Sequence, residues 1–263
     1  MHAFNYRRAT SVEDAVAAFR GADDGAYLSG GHTLLPTMKQ RLAAPSDLID
    51  LAGLTELIGI SVDGEAVEIG ALTPHAAVAA SAEVQGAIPA LAALAGKIGD
   101  PQVRNKGTIG GSIANNDPAA DYPAALVGLG ATVVTDRRTI AADGFFTGLF
   151  ETALDEGEIV TAVRFPRPSK AGYAKFPNPA SRYAIVGVMA AETASGVRIA
   201  VTGAGPCVFR ASAMEAVLGG GLDANATLPA LSAEGLNSDI HASAEYRAHL
   251  VGVMAQRAMA SAR

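Results

Sequence analysis

The sequence of 263 residues contains one cysteine, Cys207, and no tryptophan. A single thiol excludes a disulfide framework, a multi-cysteine zinc site and any iron-sulfur cluster held by four cysteines of this chain. Any iron-sulfur chemistry therefore has to come from a partner. Aromatic residues make up 5% of the chain, which leaves little for platforms that stack sugars or bases. The net charge is -6 and no basic cluster occurs, which argues against a nucleic-acid or anionic-membrane surface. No apolar run reaches the roughly 18 residues that a membrane span needs. The start, Met-His-Ala-Phe-Asn-Tyr-Arg-Arg, lacks the apolar core of a signal peptide, so a cytoplasmic location is expected.

What the chain does have is apolar material, 49% of its residues, and 29 glycines. That suffices for one large domain or two small ones with real cores. Two glycine-containing stretches stand out. In the first, Tyr27-Leu28 reads as the end of a buried strand, Gly30-Gly31 frees a turn, and Pro36 fits the first turn of a helix. Such a turn meets an anion with unpaired backbone N-H groups and the positive end of a helix dipole. No Lys or Arg lies between Tyr27 and Pro36, so an anion there depends on backbone and on hydroxyls such as Ser29 and Thr33. The second stretch, Ile98 to Asp121, mixes Gly99, Gly107, Gly110 and Gly111 with polar residues and has almost no periodicity. A long irregular segment within a domain is usually functional.

In chain order, Phe4-Asn5-Tyr6 reads as a strand and Thr10 with Glu13 as a capping box. Val12, Ala15, Val16 and Phe19 then recur at helical spacing up to Gly21. A helix is expected from about Leu34 to Leu42, a strand at Leu48 to Leu51, and a hairpin of 57–62 with 66–69 across Asp63-Gly64. Thr73 caps a helix with Pro74 at its first position, and another helix runs over 89–95. Asp117 caps a helix from Pro118 to Gly130, which places Asp121 in its first turn, where a carboxylate also suits the helix dipole. Strands follow at 131–135, 139–141 and 159–165, with a short segment at Phe145-Phe146. Pro166-Arg167-Pro168 marks a change of domain. Beyond it, strands at 173–176, 185–192 and 197–201 form a three-stranded meander backed by helices at 212–218, 226–231 and 243–260.

These residues carry a resemblance. Ser-Gly-Gly-His-Thr-Leu-Leu-Pro-Thr-Met-Lys at 29–39, the run from Ile98 to Ser112, Asp-Pro-Ala-Ala-Asp-Tyr-Pro at 117–123, and the Tyr-Ala-Lys-Phe and Ser-Arg-Tyr-Ala-Ile-Val-Gly-Val runs within 173–188 resemble the FAD-binding medium subunits of molybdenum hydroxylases. That group includes carbon monoxide, nicotinate and xanthine dehydrogenases. The resemblance covers essentially the whole chain. It implies an α+β fold: an FAD-binding domain of the vanillyl-alcohol-oxidase (PCMH) type at 1–167, in two subdomains split near 52–60, and a βββα-like C-terminal domain at 168–263. It implies that Leu28, Ser29, Gly30, Gly31, His32, Thr33, Leu34 and Leu35 wrap the cofactor pyrophosphate and reach the flavin edge. Thr108, Gly110, Gly111 and Ser112 form a second phosphate loop, and Asp121 binds ribityl or ribose hydroxyls. Ile159 or Val160 lies along the adenine or flavin, and Lys175 stands near the flavin. Ser29, Thr33 and Ser112 depart from the family's usual Ala, Ser and Asn while keeping hydrogen-bonding capacity.

The resemblance further implies an oxidoreductase subunit that relays electrons. A large subunit carries the molybdenum cofactor, a small one carries iron-sulfur clusters, and the flavin subunit delivers electrons outward within a dimer of heterotrimers. No Rossmann Gly-x-Gly-x-x-Gly turn follows a strand, so no dedicated NAD domain is expected. His32 enters through its imidazole or only through its backbone N-H. His75 and His241 are expected at the surface, and Cys207 is expected as a small buried apolar residue. Two other readings stay open: a stand-alone FAD-dependent oxidoreductase on the same fold, and a flavin-free assembly subunit.

Overall fold

A computed structural model describes residues 1–263. The chain begins with β1 (Asn5–Arg8), α1 (Val12–Arg20), β2 (Gly25–Leu28), α2 (Leu34–Lys39) and β3 (Asp47–Asp50). The three strands form a parallel sheet in the order β1-β3-β2. The α1 cap falls one residue later than expected. Ser11 accepts from the Asp14 N-H at 3.1 Å, and Asp14 reaches back to the Thr10 N-H at 3.0 Å. The reciprocal box is thus not formed as expected: Ser11 caps Asp14, while Asp14 holds the residue before the cap. Gly21 ends the helix as expected.

The next unit contains β4 (Ile60–Val62), β5 (Ala66–Gly70), α3 (His75–Ala80), α4 (Ala82–Ala87), α5 (Pro89–Gly96), α6 (Pro101–Arg104), α7 (Ile109–Asn115) and α8 (Tyr122–Leu129). It continues through β6 (Thr132–Thr135), β7 (Thr139–Ala141), β8 (Phe146–Gly148), β9 (Glu151–Thr152) and β10 (Val160–Pro166). Its antiparallel sheet has the order β4-β5-β10-β6-β7. The Asp63-Gly64 hairpin forms, with Val62 opposite Val67.

Three local expectations here are corrected. Thr73 does not cap α3. Its hydroxyl instead pairs with both the N-H and the carbonyl of Gly59 at 3.0 Å, and Pro74 precedes the helix. The stretch 98–121 is not irregular throughout. Asp100 caps α6 through the Val103 N-H, and Thr108 caps α7 through the Gly111 N-H. Finally, α8 starts at Tyr122 rather than Pro118. Asp117 holds the Ala119 N-H at 2.8 Å in a turn, and Asp121 makes no capping bond.

The C-terminal part comprises β11 (Lys170–Pro177), β12 (Ala184–Thr193), β13 (Gly196–Thr202), β14 (Phe209–Arg210), α9 (Ser212–Leu218) and α10 (Ala244–Ala260). Its antiparallel sheet is four-stranded, because β14 adds to the expected meander. Residues 226–231 are not helical. The apolar side chains of Leu222, Leu228, Leu231 and Leu236 instead pack as loop residues against the core under α10.

Every residue of α8 is buried. Burying a Leu or Val side chain contributes roughly 1.5–3 kcal/mol, so α8 is the apolar centre that both later sheets share. A Cβ at Gly128 would stand 2.6 Å from Met189 on β12, and Arg198 on β13 donates from Nε to the Val127 carbonyl at 2.8 Å. Thr202 fixes the start of the helix through the Ala120 carbonyl at 2.6 Å. Asp121, at that start, is thereby held between the two halves of the chain.

Candidate functional site

A cleft of about 640 Å³ runs between the turn after β2, the start of α3, the start of α7 and the strand entry at 158–160. β2 delivers the first wall. Its parallel pairing with β3 persists as far as the Leu51 N-H, which donates to the Leu28 carbonyl at 2.8 Å, and the chain then leaves the sheet. Gly31 adopts φ +73, a backbone that a side chain rarely tolerates. The carbonyls of Gly31 and Thr33 accept from Leu35 and Thr37 as α2 begins. The N-H groups of Ser29, Gly30, Gly31, His32 and Thr33 donate to no acceptor of the chain. Successive free backbone donors of this kind are the groups with which a turn can meet an anion.

The second glycine stretch differs. The Gly110 N-H donates to the Ala71 carbonyl at 2.8 Å, that of Gly111 to Thr108 Oγ1 at 3.1 Å, and that of Ser112 to the Thr108 carbonyl at 3.0 Å. These donors are already used. What the stretch supplies is closeness: a Cβ at Gly30 would lie 2.1 Å from the Lys106 carbonyl oxygen, and one at Gly111 would lie 2.5 Å from Ser29 Oγ. Thr108 Oγ1 donates onward to Ser29 Oγ at 3.2 Å, so the two walls are locked together by hydroxyls.

Of the expected site residues, Leu28, Ser29, Gly30, Gly31, His32, Thr33, Leu34, Thr108, Gly110, Gly111, Ser112, Asp121, Ile159 and Val160 all line this one cleft. Leu35 and Lys175 do not. Leu35 lies beneath Gly31, and Lys175 lies behind Asp121. Asp121 accepts from Lys175 Nζ at 2.9 Å and from the Tyr173 hydroxyl at 2.5 Å. Burial pushes its carboxyl above the ordinary carboxylate range, while the Lys175 charge opposes that rise. Lys175 also donates to the Lys97 and Arg182 carbonyls at 2.7 and 2.9 Å, which satisfies all three of its protons.

Ile159 and Val160 are placed by an ionic corner. Glu158 accepts from Arg138 at 2.8 and 3.0 Å, from Thr135 at 2.7 Å and from the Asp155 N-H at 2.8 Å. The Arg138 guanidinium leads the effects that hold its carboxyl down at about 2. Tyr27, stacked on Phe19 at 4.9 Å, donates its hydroxyl to the Gly157 carbonyl, and burial pushes its phenol up to about 12.

Several lining residues were not expected. Arg182 and Tyr183 come from the turn between β11 and β12, and Arg182 is the one Lys or Arg on the wall. Their position depends on contacts across the whole chain, for which the sequence has no local signal. His75 is not a surface residue: it is 4% exposed and lines the cleft. The apolar periodicity of α3, with Val78 also buried, was the available clue. Cys207 is half-buried beside the Asn116 amide, a more polar setting than expected.

Residues 2–168 match the family described as the FAD binding domain in molybdopterin dehydrogenase, and residues 171–262 match the CO dehydrogenase flavoprotein C-terminal domain. The chain belongs to the flavin-carrying medium subunits of the molybdenum hydroxylases. Among curated relatives, the nicotine 6-hydroxylase medium subunit of Paenarthrobacter nicotinovorans is 37% identical over 99% of this chain and 97% of its own length. The carbon monoxide dehydrogenase medium chain of Hydrogenophaga pseudoflava is 36% identical over 98% and 96%. A crystal structure of the Cu,Mo-CO dehydrogenase superposes with a TM-score of 0.88 at 34% identity, covering 99% of this chain and 98% of that one. Quinoline 2-oxidoreductase from Pseudomonas putida 86 gives the same TM-score at 29% identity, over 98% and 96%.

The expected family, and the α+β fold of an FAD domain followed by a C-terminal domain, are borne out. This medium subunit is an oxidoreductase component with an FAD-binding domain, as its relatives are. The cleft fits such a ligand on its own evidence, because it offers a row of unpaired donors on a wall where glycines leave no side chain in the way. No helix is long and apolar enough to cross a membrane.

Proposed function

We propose that this medium subunit holds FAD in the cleft between Ser29–Thr33 and Thr108–Ser112 and relays electrons through it. They come from the iron-sulfur clusters of a small partner subunit, which are reduced by a large subunit carrying the molybdenum cofactor. The observation that carries the reading is the run of five unpaired N-H groups at 29–33 on the wall of the cleft. A bound flavin supplies the chemistry of accepting electrons singly and releasing them singly or in pairs.

The chain's own residues bind and shape. The backbone of Ser29, Gly30, Gly31, His32 and Thr33 receives the pyrophosphate, with Leu28 and Leu34 flanking it and Leu35 supporting Gly31. Thr108, Gly110, Gly111 and Ser112 form the opposite wall, with the Ser112 hydroxyl as its free donor, because Thr108 Oγ1 already donates to Ser29. Asp121 receives ribityl or ribose hydroxyls on the lone pairs that Tyr173 and Lys175 leave free. Ile159 and Val160 give an apolar edge, and Lys175 acts by fixing Asp121. The division into domains at 1–167 and 168–263, with a subdomain split near 52–60, belongs to the same proposal. So do cytoplasmic placement, delivery to an external acceptor, and a dimer of heterotrimers.

Coexpression with the neighbouring gene products, followed by copurification, tests the relay. Recovery of one complex containing molybdenum, iron and flavin is expected. Isolation as an active single chain would contradict it and favour a stand-alone flavoenzyme.

A further inference from the structure

One buried titratable side chain on the cleft wall has no role so far. His75, the first residue of α3, has two ring nitrogens, and neither bonds to any atom of the chain. Nδ1 is sealed from solvent without a partner. Nε2 lies against Gly107, where a Cβ would come within 2.6 Å of it, and this is the nitrogen left open to the cleft. The backbone anchors the residue here: the His75 N-H donates to the Gly107 carbonyl at 2.9 Å, and Pro74 pairs with Thr108. Tyr122 closes the far side, its ring centroid 5.3 Å away.

Burial holds the imidazole well below its ordinary value, at about 4, and the charges of His32 and Arg104 push the same way. The ring is therefore neutral near pH 7 and carries one N-H. A proton on Nδ1 would be a sealed donor without an acceptor, which costs about 1–3 kcal/mol. The Nε2-H tautomer leaves only a lone pair there and turns the donor toward the cleft. The same spot adjoins the anion wall, since a Cβ at Gly30 would lie 2.9 Å from the Gly107 Cα.

We infer that His75 is a binding residue for the cofactor, its Nε2-H donating to a pyrophosphate oxygen where the two glycine walls meet. This rests on the FAD reading above. It adds a side-chain donor to a site otherwise served by backbone, and it explains a polar ring buried without partners.

The test is titration of FAD, by flavin fluorescence, into the deflavinated complex carrying His75→Leu or His75→Gln. His75→Leu is expected to weaken FAD by about tenfold, with the cofactor-free protein at pH 7 no less stable. His75→Gln, which keeps an N-H donor, is expected to recover most of the loss. In ¹⁵N-labelled wild type, the His75 Nε2 resonance should shift on adding FAD and its proton should become protected, a readout that survives misfolding of the Leu variant. Wild-type affinity in His75→Leu, equal weakening in both variants, or an unmoved Nε2 resonance would overturn the inference alone. A wild type that takes up no FAD would overturn the cofactor reading and this inference with it.

Discussion

Lys175 on β11 and Asp121 at the start of α8 form a 2.9 Å salt bridge with both side chains buried, 3% and 4% exposed. They come from opposite halves of the chain. Removing one partner of such a pair leaves a buried charge unpaired, which costs about 3–5 kcal/mol. Lys175→Met is therefore expected to lower the urea midpoint strongly. The double variant Lys175→Met with Asp121→Leu should lose less than the sum of the single losses. A single Lys175→Met loss below about 1 kcal/mol would show that the pair does not tie the halves together.

Gly30 is the position where the two walls come closest. Gly30→Ala pushes a methyl onto the Lys106 carbonyl, and FAD affinity should fall by tenfold or more, about 1.4 kcal/mol. Gly64 is the control, because nothing lies within 4 Å of a Cβ there. Equal FAD affinities for the two alanine variants, by fluorescence titration, would remove the close approach from the account.

Glu158 gives an acid-side dependence. Its folded pKa, about 2, lies below the ordinary 4.5. Its contribution is thus full above about pH 4.5 and is lost as pH falls toward 2, amounting to about 1–3 kcal/mol given the partly exposed Arg138. Other carboxylates titrate there too, so the measurement is the difference between wild type and Glu158→Gln. The gap in unfolding free energy should narrow steadily across that window.

His75 acts in a different window. A histidine held near 4 instead of 6.5 costs the fold nothing through protonation above pH 6.5 and destabilises it progressively as pH falls from 6.5 toward 4, because the unfolded chain takes up the proton first. The loss should reach roughly 2–3 kcal/mol in the cofactor-free protein. His75→Leu should remove that part of the pH slope in urea titrations. An unchanged slope would mean that the ring is solvated.

Much of this was legible in the chain because local rules and tertiary packing agree. The turn at 29–36, the hairpin at Asp63-Gly64 and the C-terminal strands all follow from turn chemistry and apolar alternation. The misreadings have physical causes. Ser11 takes the cap one residue after Thr10, because its hydroxyl reaches the Asp14 N-H while Thr10 is held by the Asp14 carboxylate. Gly110 and Gly111 hide a helix start, because their low propensity is offset by Thr108 and by packing against Ala71. The apolar residues at 226–231 are spaced as in a helix, yet they fill gaps beneath α10 from a loop. In the cleft, the backbone donors were legible from glycine placement. The burial of His75 had a local signal in the apolar run of α3, whereas the arrival of Arg182 and Tyr183 depends on long-range packing that no local window contains.

The central claim is that the unpaired N-H groups of Ser29–Thr33 hold FAD. The most direct measurement is the visible absorption spectrum of the purified complex, followed by acid release and chromatography of what is released. One FAD per medium subunit, with flavin content sharply reduced in Gly30→Ala, is the predicted result. A complex that releases no FAD and also refuses added FAD would contradict the account.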